Sequence, residues 1–169
     1  MLSIRTAGPP DLPAICTLSD QINRQHWHMH ADVFVDPDRY DAQTDGAAAR
    51  VAQSSAFWLE HLEAADSTLL VAKLADSVVG FITAKILPVT AIPFLAARQV
   101  CRIGTIVIDT SAQQRGVGSA LMAAAEAWAR QRDVVEMRLE VFDFNHDAMR
   151  FYDNVGFAVQ SHIMIKALR

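Results

Sequence analysis

With 169 residues, 51% of them hydrophobic and 20% charged, the chain has the length and make-up of one globular domain, not of a disordered segment. Lys and Arg number 15 against 19 Asp and Glu, so the formal charge is -4 and no basic field is available for nucleic acid. The 2 cysteines, Cys16 and Cys101, are too few for a disulfide framework and wrongly spaced for a metal motif, which points to a reducing, cytoplasmic compartment.

Ile4 begins a first strand, which Gly8-Pro9-Pro10-Asp11 stops. The opening Met1-Leu2-Ser3-Ile4-Arg5 has neither the basic flank nor the apolar core of a leader. Asp11 is placed to cap a helix with Pro13 in its first turn, and Ile15, Leu18 and Ile22 give that helix an apolar stripe. Residues 26–46 carry His26, His28, His30, Pro37 and the aromatics Trp27, Phe34 and Tyr40, and read as a short helix plus loop. Ala48, Val51, Ala52, Ser55, Leu59 and Leu62 recur at helical spacing, which predicts a helix over 47–64. Glu60, Glu63 and Asp66 fall on its solvated side.

Strands are expected over 69–74 and 78–87, joined through Asp76-Ser77, and over 100–108. The last of these is apolar almost throughout, as befits a central strand covered on both faces. The apolar run 86–97 holds Pro88 and Pro93 and is far short of the roughly 20 residues needed to span a bilayer, so it reads as a strand end and loop. A clear helix follows over 115–131, with Leu121, Ala125 and Trp128 on one face. A strand over 134–141, a helix over 146–154 and a final strand over 157–166 complete the series. The order β-α-α-β-β-β-α-β-α-β describes an α/β fold, a single domain over 1–169 built on one mixed central sheet flanked by helices.

The stretch Ile106-Val107-Ile108-Asp109-Thr110-Ser111-Ala112-Gln113-Gln114-Arg115-Gly116-Val117-Gly118-Ser119 runs from an apolar strand through a turn into a helix. Two glycines at the helix start let a bound group approach the backbone. The first helical N–H groups lack internal partners, and the helix dipole adds partial positive charge. Such an end suits a phosphate or pyrophosphate. Alternatively, the glycines merely permit close helix–strand packing. A Walker-type loop would need a Lys after the last glycine, where Ser119 stands. A dinucleotide fingerprint would need a third glycine where Leu121 stands, although Glu136 lies at the spacing of its acidic residue.

Gln113-Gln114-Arg115-Gly116-Val117-Gly118 resembles the acyl-CoA pyrophosphate motif of the GNAT superfamily of N-acetyltransferases, Arg/Gln-x-x-Gly-x-Gly/Ala. Further on, Asn145-His146-Asp147-Ala148-Met149-Arg150-Phe151-Tyr152-Asp153-Asn154-Val155-Gly156-Phe157 resembles that family's closing motif, Asn-x-x-Ala-x-x-x-Tyr-x-x-x-Gly-Phe. The element order is also that of the GNAT (acyl-CoA N-acyltransferase) fold. The likeness is strong from about Val100 to the C-terminus and weaker before it.

The resemblance implies acetyl-CoA as co-substrate and no metal. It implies a bulge in the strand before the loop and backbone pairing of Thr105, Ile106, Val107 and Ile108 with the pantetheine arm. An N–H at Ile106 or Val107 would polarise the thioester carbonyl. Cofactor contacts are expected from Ile106, Val107, Ile108, Gln113, Gln114, Arg115, Gly116, Val117, Gly118, Ser119, Asn145 and Tyr152. Tyr152, protonated at neutral pH, would be the general acid for departing CoA. The strand before the loop offers Cys101, Arg102 and Thr105 but no carboxylate until Asp109, so the base stays open between Glu140, His26 and a water chain to bulk.

On a strand, His26, His28 and His30 would face one way and could hold a metal; at helical spacing they fan apart. The run His26-Trp27-His28-Met29-His30-Ala31-Asp32-Val33-Phe34 resembles an acceptor-wall segment of bacterial small-molecule GNAT proteins, with Ala31 in place of a proline. That implies His26 and Phe34 as substrate-binding residues. The function so implied is direct transfer of acetyl from acetyl-CoA to a primary amine in a ternary complex. The short, net acidic chain favours a small cationic amine as acceptor, over a protein N-terminus or lysine, or over a CoA-binding sensor without activity. No nucleic-acid or membrane partner is expected. The C-terminal strand and the 86–97 loop are expected to support a homodimer.

Overall fold

Five strands make one sheet in the order β1-β2-β3-β4-β5: β1 (Leu2–Thr6), β2 (Ser67–Leu74), β3 (Ser77–Val89), β4 (Arg98–Ile108) and β5 (Met137–Arg138). β1 to β4 are antiparallel neighbours, and β5 joins β4 in parallel after a helical crossover. The helices are α1 (Leu12–Met29), α2 (Ala47–Glu63), α3 (Val117–Arg130) and α4 (His146–Asn154). The computed structural model describes residues 1–34, 36–37, 47–89, 98–166 and 168. Tyr40, Gly46 and the 90–97 part of the expected apolar loop, including Pro93, lie outside the described residues. Two units are distinguished, residues 1–139 with the sheet and α1 to α3, and residues 140–169 with α4.

In the first unit, alternation along β2 and β3 divides the core between two faces of the sheet. Leu69, Val71, Phe81 and Val107 pack with Leu12, Ile15, Cys16 and Leu18 of α1 and Trp58 of α2. The intervening Leu70, Ala72 and Ile82 are also buried, and α3, which packs on β2, β3 and β4, buries Val117, Leu121, Met122, Ala125 and Ala129. Burying a side chain such as Leu121 or Phe81 contributes roughly 1.5–3 kcal/mol. Cys101 is a fully buried small side chain on β4, as its strand position suggests.

Several expectations shift. Asp11 does not cap α1 with its side chain. Its carboxylate takes two hydrogen bonds from Arg5, both 2.7 Å, and one from the Gly8 N–H at 2.9 Å, fastening the turn after β1. α1 continues through His26 to Met29 instead of breaking before it, since no Gly or Pro interrupts it there. Trp128 is only half-buried, with the Arg132 guanidinium 4.4 Å from its ring centre. The strand expected over 134–141 shrinks to Met137–Arg138, in register with Cys101 and Arg102 alone. No strand is assigned among the described residues of 157–166, which are exposed apart from half-buried Phe157. A strand exists through a paired neighbour, and alternating β-branched residues alone do not create one. No helix among the described residues is long and apolar enough to cross a membrane.

Candidate active site

β4 carries one extra residue relative to β3. Ile82 lies opposite Ile106 and Ala84 opposite Ile103, so Thr83 faces both Gly104 and Thr105. This is a β-bulge, which re-aims the strand beyond it. The Thr83 hydroxyl oxygen accepts the Thr105 N–H at 2.9 Å, replacing the ladder bond that the bulge breaks. Gly104 is required here, because a Cβ would stand 2.8 Å from the Thr83 hydroxyl oxygen. On the other side of Thr105, the Asp109 N–H donates to the Val79 carbonyl at 2.8 Å. Successive N–H groups of a strand alternate sides. The N–H groups of residues 105, 107 and 109 therefore face β3, and those of Ile106 and Ile108 face the opposite edge. Of the two donors the resemblance offers, the outward one is Ile106. The β4–β5 ladder covers Cys101 and Arg102 only, so this edge lies beyond it.

After β4, Asp109 turns the chain. Its carboxylate accepts from the Ser111 hydroxyl at 2.5 Å and the Ser111 N–H at 2.8 Å. These bonds hold its pKa below the ordinary value, the hydroxyl contributing most. The first carboxylate after the strand is thus committed to a turn and is a poor proton acceptor. Gln113, Gln114, Arg115 and Gly116 form an exposed turn, with Gln114 at φ 58° and Gly116 at φ 77°. Gly116 is the N-cap of α3 in the left-handed region, where a side chain is strained. The Ala120 N–H reaches the Gly116 carbonyl at 3.0 Å, leaving the Val117, Gly118 and Ser119 N–H groups without intrahelical partners. No side chain caps this end. A bare amide cradle with exposed Arg115 beside it fits a pyrophosphate, so the residues present suit coenzyme A.

His26 and Phe34 stack on one another, with ring centres 4.9 Å apart and planes 29° off parallel. The Phe34 N–H bonds the His30 carbonyl at 3.1 Å, folding the chain back onto the end of α1. Burial pushes the His26 imidazole below its ordinary pKa, so it is neutral at pH 7. His26 and His28 lie in α1, where i and i+2 are about 200° apart and face different ways, and His30 is the residue that ends the helix.

In the second unit, Asn145 caps α4, its side-chain oxygen accepting the Ala148 N–H at 3.2 Å. That leaves the Asn145 amide NH2 as the end able to reach a ligand. Tyr152 lies on α4 with ring centres 5.4 Å from Phe151 and 5.9 Å from Phe157. Burial raises its pKa, keeping the phenol protonated. Glu140 is exposed. Sequence reasoning missed Thr83 and Gly104. The available signal was a lone hydroxyl in the run Gly80-Phe81-Ile82-Thr83-Ala84, where a buried polar group needs a partner.

Residues 27–157 match the acetyltransferase (GNAT) family, and the chain belongs to that family. Among curated protein sequences no match was found. Among solved structures, a tetramutant of the BH1408 protein of Bacillus halodurans is similar at a TM-score of 0.85 and 20% identity, covering 98% of this chain and 99% of that one. The protein AAC(6')-Iy, bound to the bisubstrate analogue CoA-S-monomethyl-acetylneamine, gives a TM-score of 0.70 at 20% identity over 100% of this chain and 99% of that one. An aminoglycoside acetyltransferase from an uncultured soil metagenomic sample, in complex with trehalose, gives 0.65 at 18% identity, over 99% and 95%. These likenesses establish the GNAT fold. The acyl donor of the family is acetyl-CoA.

Proposed function

We propose that the protein is an N-acetyltransferase that moves acetyl from acetyl-CoA directly to the primary amine of a small molecule. The observation that carries this reading is the uncapped start of α3 behind a left-handed Gly116, directly following a bulged strand whose Ile106 N–H faces outward. Acetyl-CoA supplies an activated acetyl group as a thioester. The N–H groups of Val117, Gly118 and Ser119, with Arg115 and the turn of Gln113 and Gln114, hold its pyrophosphate. The Ile106 and Ile108 N–H groups, with Val107 between them, line its arm as an added strand would. Charge that develops on the carbonyl oxygen is met by the Ile106 N–H, already fixed in place by the bulge.

Attack forms the new C–N bond and breaks the C–S bond. The Tyr152 phenol gives its proton to the departing sulfur, and the amine loses one to water or a nearby base. Asn145 contributes its amide NH2 to the arm. His26 is a fitting proton acceptor on the acceptor side, because it is neutral at pH 7 and stacked in place by Phe34. Glu140 remains the second candidate. Holding amine and thioester together supplies much of the acceleration. The test is thiol release from acetyl-CoA with a panel of amines. Amine-dependent turnover supports the reading; acetyl-CoA binding without any turnover above hydrolysis makes the chain a CoA-binding sensor instead.

A further inference from the structure

A pocket of about 320 Å3 opens on the first unit, with His61 of α2, Thr83, Lys85 and Leu87 of β3, and Arg102 and Gly104 of β4 in its lining. Spacing explains why α2 reaches it. Trp58 packs edge-on against Phe81, with ring centres 5.2 Å apart, so α2 lies across that face of β3. His61 is about one helical turn beyond Trp58, and Thr83 is the next residue beyond Phe81 on the same face of the strand. Thr83 and Gly104 also belong to the bulge, so the pocket adjoins the segment that turns the Ile106 N–H outward. Gly104 stands two residues before Ile106, roughly 7 Å along the strand, and brings no side chain to that wall.

The His61 imidazole is held from several sides. Its Nδ1 lies 3.1 Å from the Phe57 carbonyl oxygen, one turn back on α2. A carbonyl can only accept, so Nδ1 is the donor, and in the neutral ring the lone pair is then on Nε2. The ring centre is 4.7 Å from that of Phe57 and 5.7 Å from that of Trp58, which restricts its rotation. The Ser67 hydroxyl of β2 donates to the His61 carbonyl at 2.9 Å, fastening the end of α2 to the sheet. Nε2 has no hydrogen-bond partner among the described residues. A ring oriented through Nδ1 at the wall of a pocket, with Nε2 unspent, has what a general base needs.

We infer that His61 is the general base of the transfer: the amine to be acetylated enters this pocket and gives its proton to the Nε2 of His61. His26 and Glu140, the candidates weighed above, are not among the residues that line it. The amine lies between His61 and Gly104, with its nitrogen directed along β4 toward Ile106. Nε2 takes one proton from that nitrogen as the C–N bond forms and the C–S bond breaks. The departing sulfur receives its proton from Tyr152. The His61 imidazolium then returns its proton to water, from which Tyr152 regains one, so both side chains end as they began. The Nδ1 bond to Phe57 persists throughout, because Nδ1 is a donor in both the neutral and the charged ring. The inference rests on the acetyltransferase reading for the reaction itself.

The test is steady-state kinetics of the full chain with acetyl-CoA and the fastest amine of a panel that includes benzylamine, 2-aminoethanol, 1,4-diaminobutane and 3-aminopropionate. His61→Gln keeps a polar side chain of similar reach and removes the basic nitrogen. It should lower kcat at least about tenfold, with little change in KM for acetyl-CoA. His61→Ala opens room for a free base, and added imidazole should restore part of its rate in a saturable way. Long-range proton–nitrogen NMR of the wild-type chain with coenzyme A should show the neutral His61 ring with its proton on Nδ1. An undiminished kcat in His61→Gln, a loss confined to His26→Gln, a His61→Ala rate that imidazole does not raise, or the opposite tautomer overturns the inference and leaves the transferase reading standing. Wild-type turnover with none of the amines overturns both. Calorimetry with coenzyme A shows whether the variants are folded; if neither is, the wild-type tautomer decides.

Discussion

The Thr83 hydroxyl oxygen accepts the Thr105 N–H at 2.9 Å across the bulge of β4, and that bond fixes which backbone groups face the open edge of the strand. Thr83 is buried, so its loss cannot be replaced readily by water. Thr83→Val keeps the shape and removes the acceptor. It should cost about 1–3 kcal/mol, the penalty for leaving a donor unsatisfied. Urea denaturation measures this, and hydrogen exchange at the Thr105 amide should speed up in the variant. Turnover should fall as well, because the Ile106 N–H loses its fixed aim.

Gly116 sits at φ 77° with nothing within 4 Å of where a Cβ would be, so a substitution there meets backbone strain and no clash. Gly116→Ala should cost roughly 1–2 kcal/mol, the penalty for a side chain in the left-handed region. A chain that relieves the strain by changing φ also turns the amides away from one another. Coenzyme A affinity should then drop by more than the stability change alone would produce, as calorimetry on the folded variant would show.

Tyr152→Phe removes a proton donor and leaves the ring packing with Phe151 and Phe157 intact. It should lower kcat at least about tenfold, within the range ordinary for a general acid, with little change in coenzyme A binding. Because burial raises the phenol's pKa, the wild-type rate should hold on the alkaline side until pH passes the usual tyrosine value. The variant should lose that alkaline limb. An unchanged kcat removes Tyr152 from the mechanism.

Asp11 is held ionised by Arg5 first and by the Gly8 N–H, which lowers its pKa. A carboxyl whose folded value lies below its unfolded one stabilises the fold above the unfolded value, about 3.9, and loses that contribution as pH falls through the folded value. Asp11→Asn should therefore be less stable than wild type at pH 7, and the gap should close in acid. Thermal melts at pH 7 and below pH 4 check this, and a constant gap across that range would contradict it.

The elements legible in the sequence were those whose signal is local. The helices over Ala47–Glu63 and His146–Asn154 and the turn after β1 follow from apolar spacing, caps and Gly-Pro punctuation. The glycine loop was legible for the same reason, since φ 77° at Gly116 leaves its mark on residue type. What escaped depended on partners distant in sequence. The bulge needs Thr83 and Thr105 in register, and the expected strand over 157–166 would have needed a neighbour. Asp11 shows the same limit. A cap residue by spacing, it is drawn off by Arg5, whose guanidinium offers two well-aligned donors.

The proposed function stands on the amides opening α3 binding the pyrophosphate of coenzyme A. Isothermal titration calorimetry of the wild-type chain with coenzyme A, with 3'-dephospho-coenzyme A and pantetheine alongside, tests it directly. Saturable one-to-one binding of both pyrophosphate-bearing forms is expected, with far weaker binding of pantetheine and a marked loss for Gly116→Ala. Absence of binding heat with coenzyme A at several temperatures, or equal affinity for pantetheine, would contradict it.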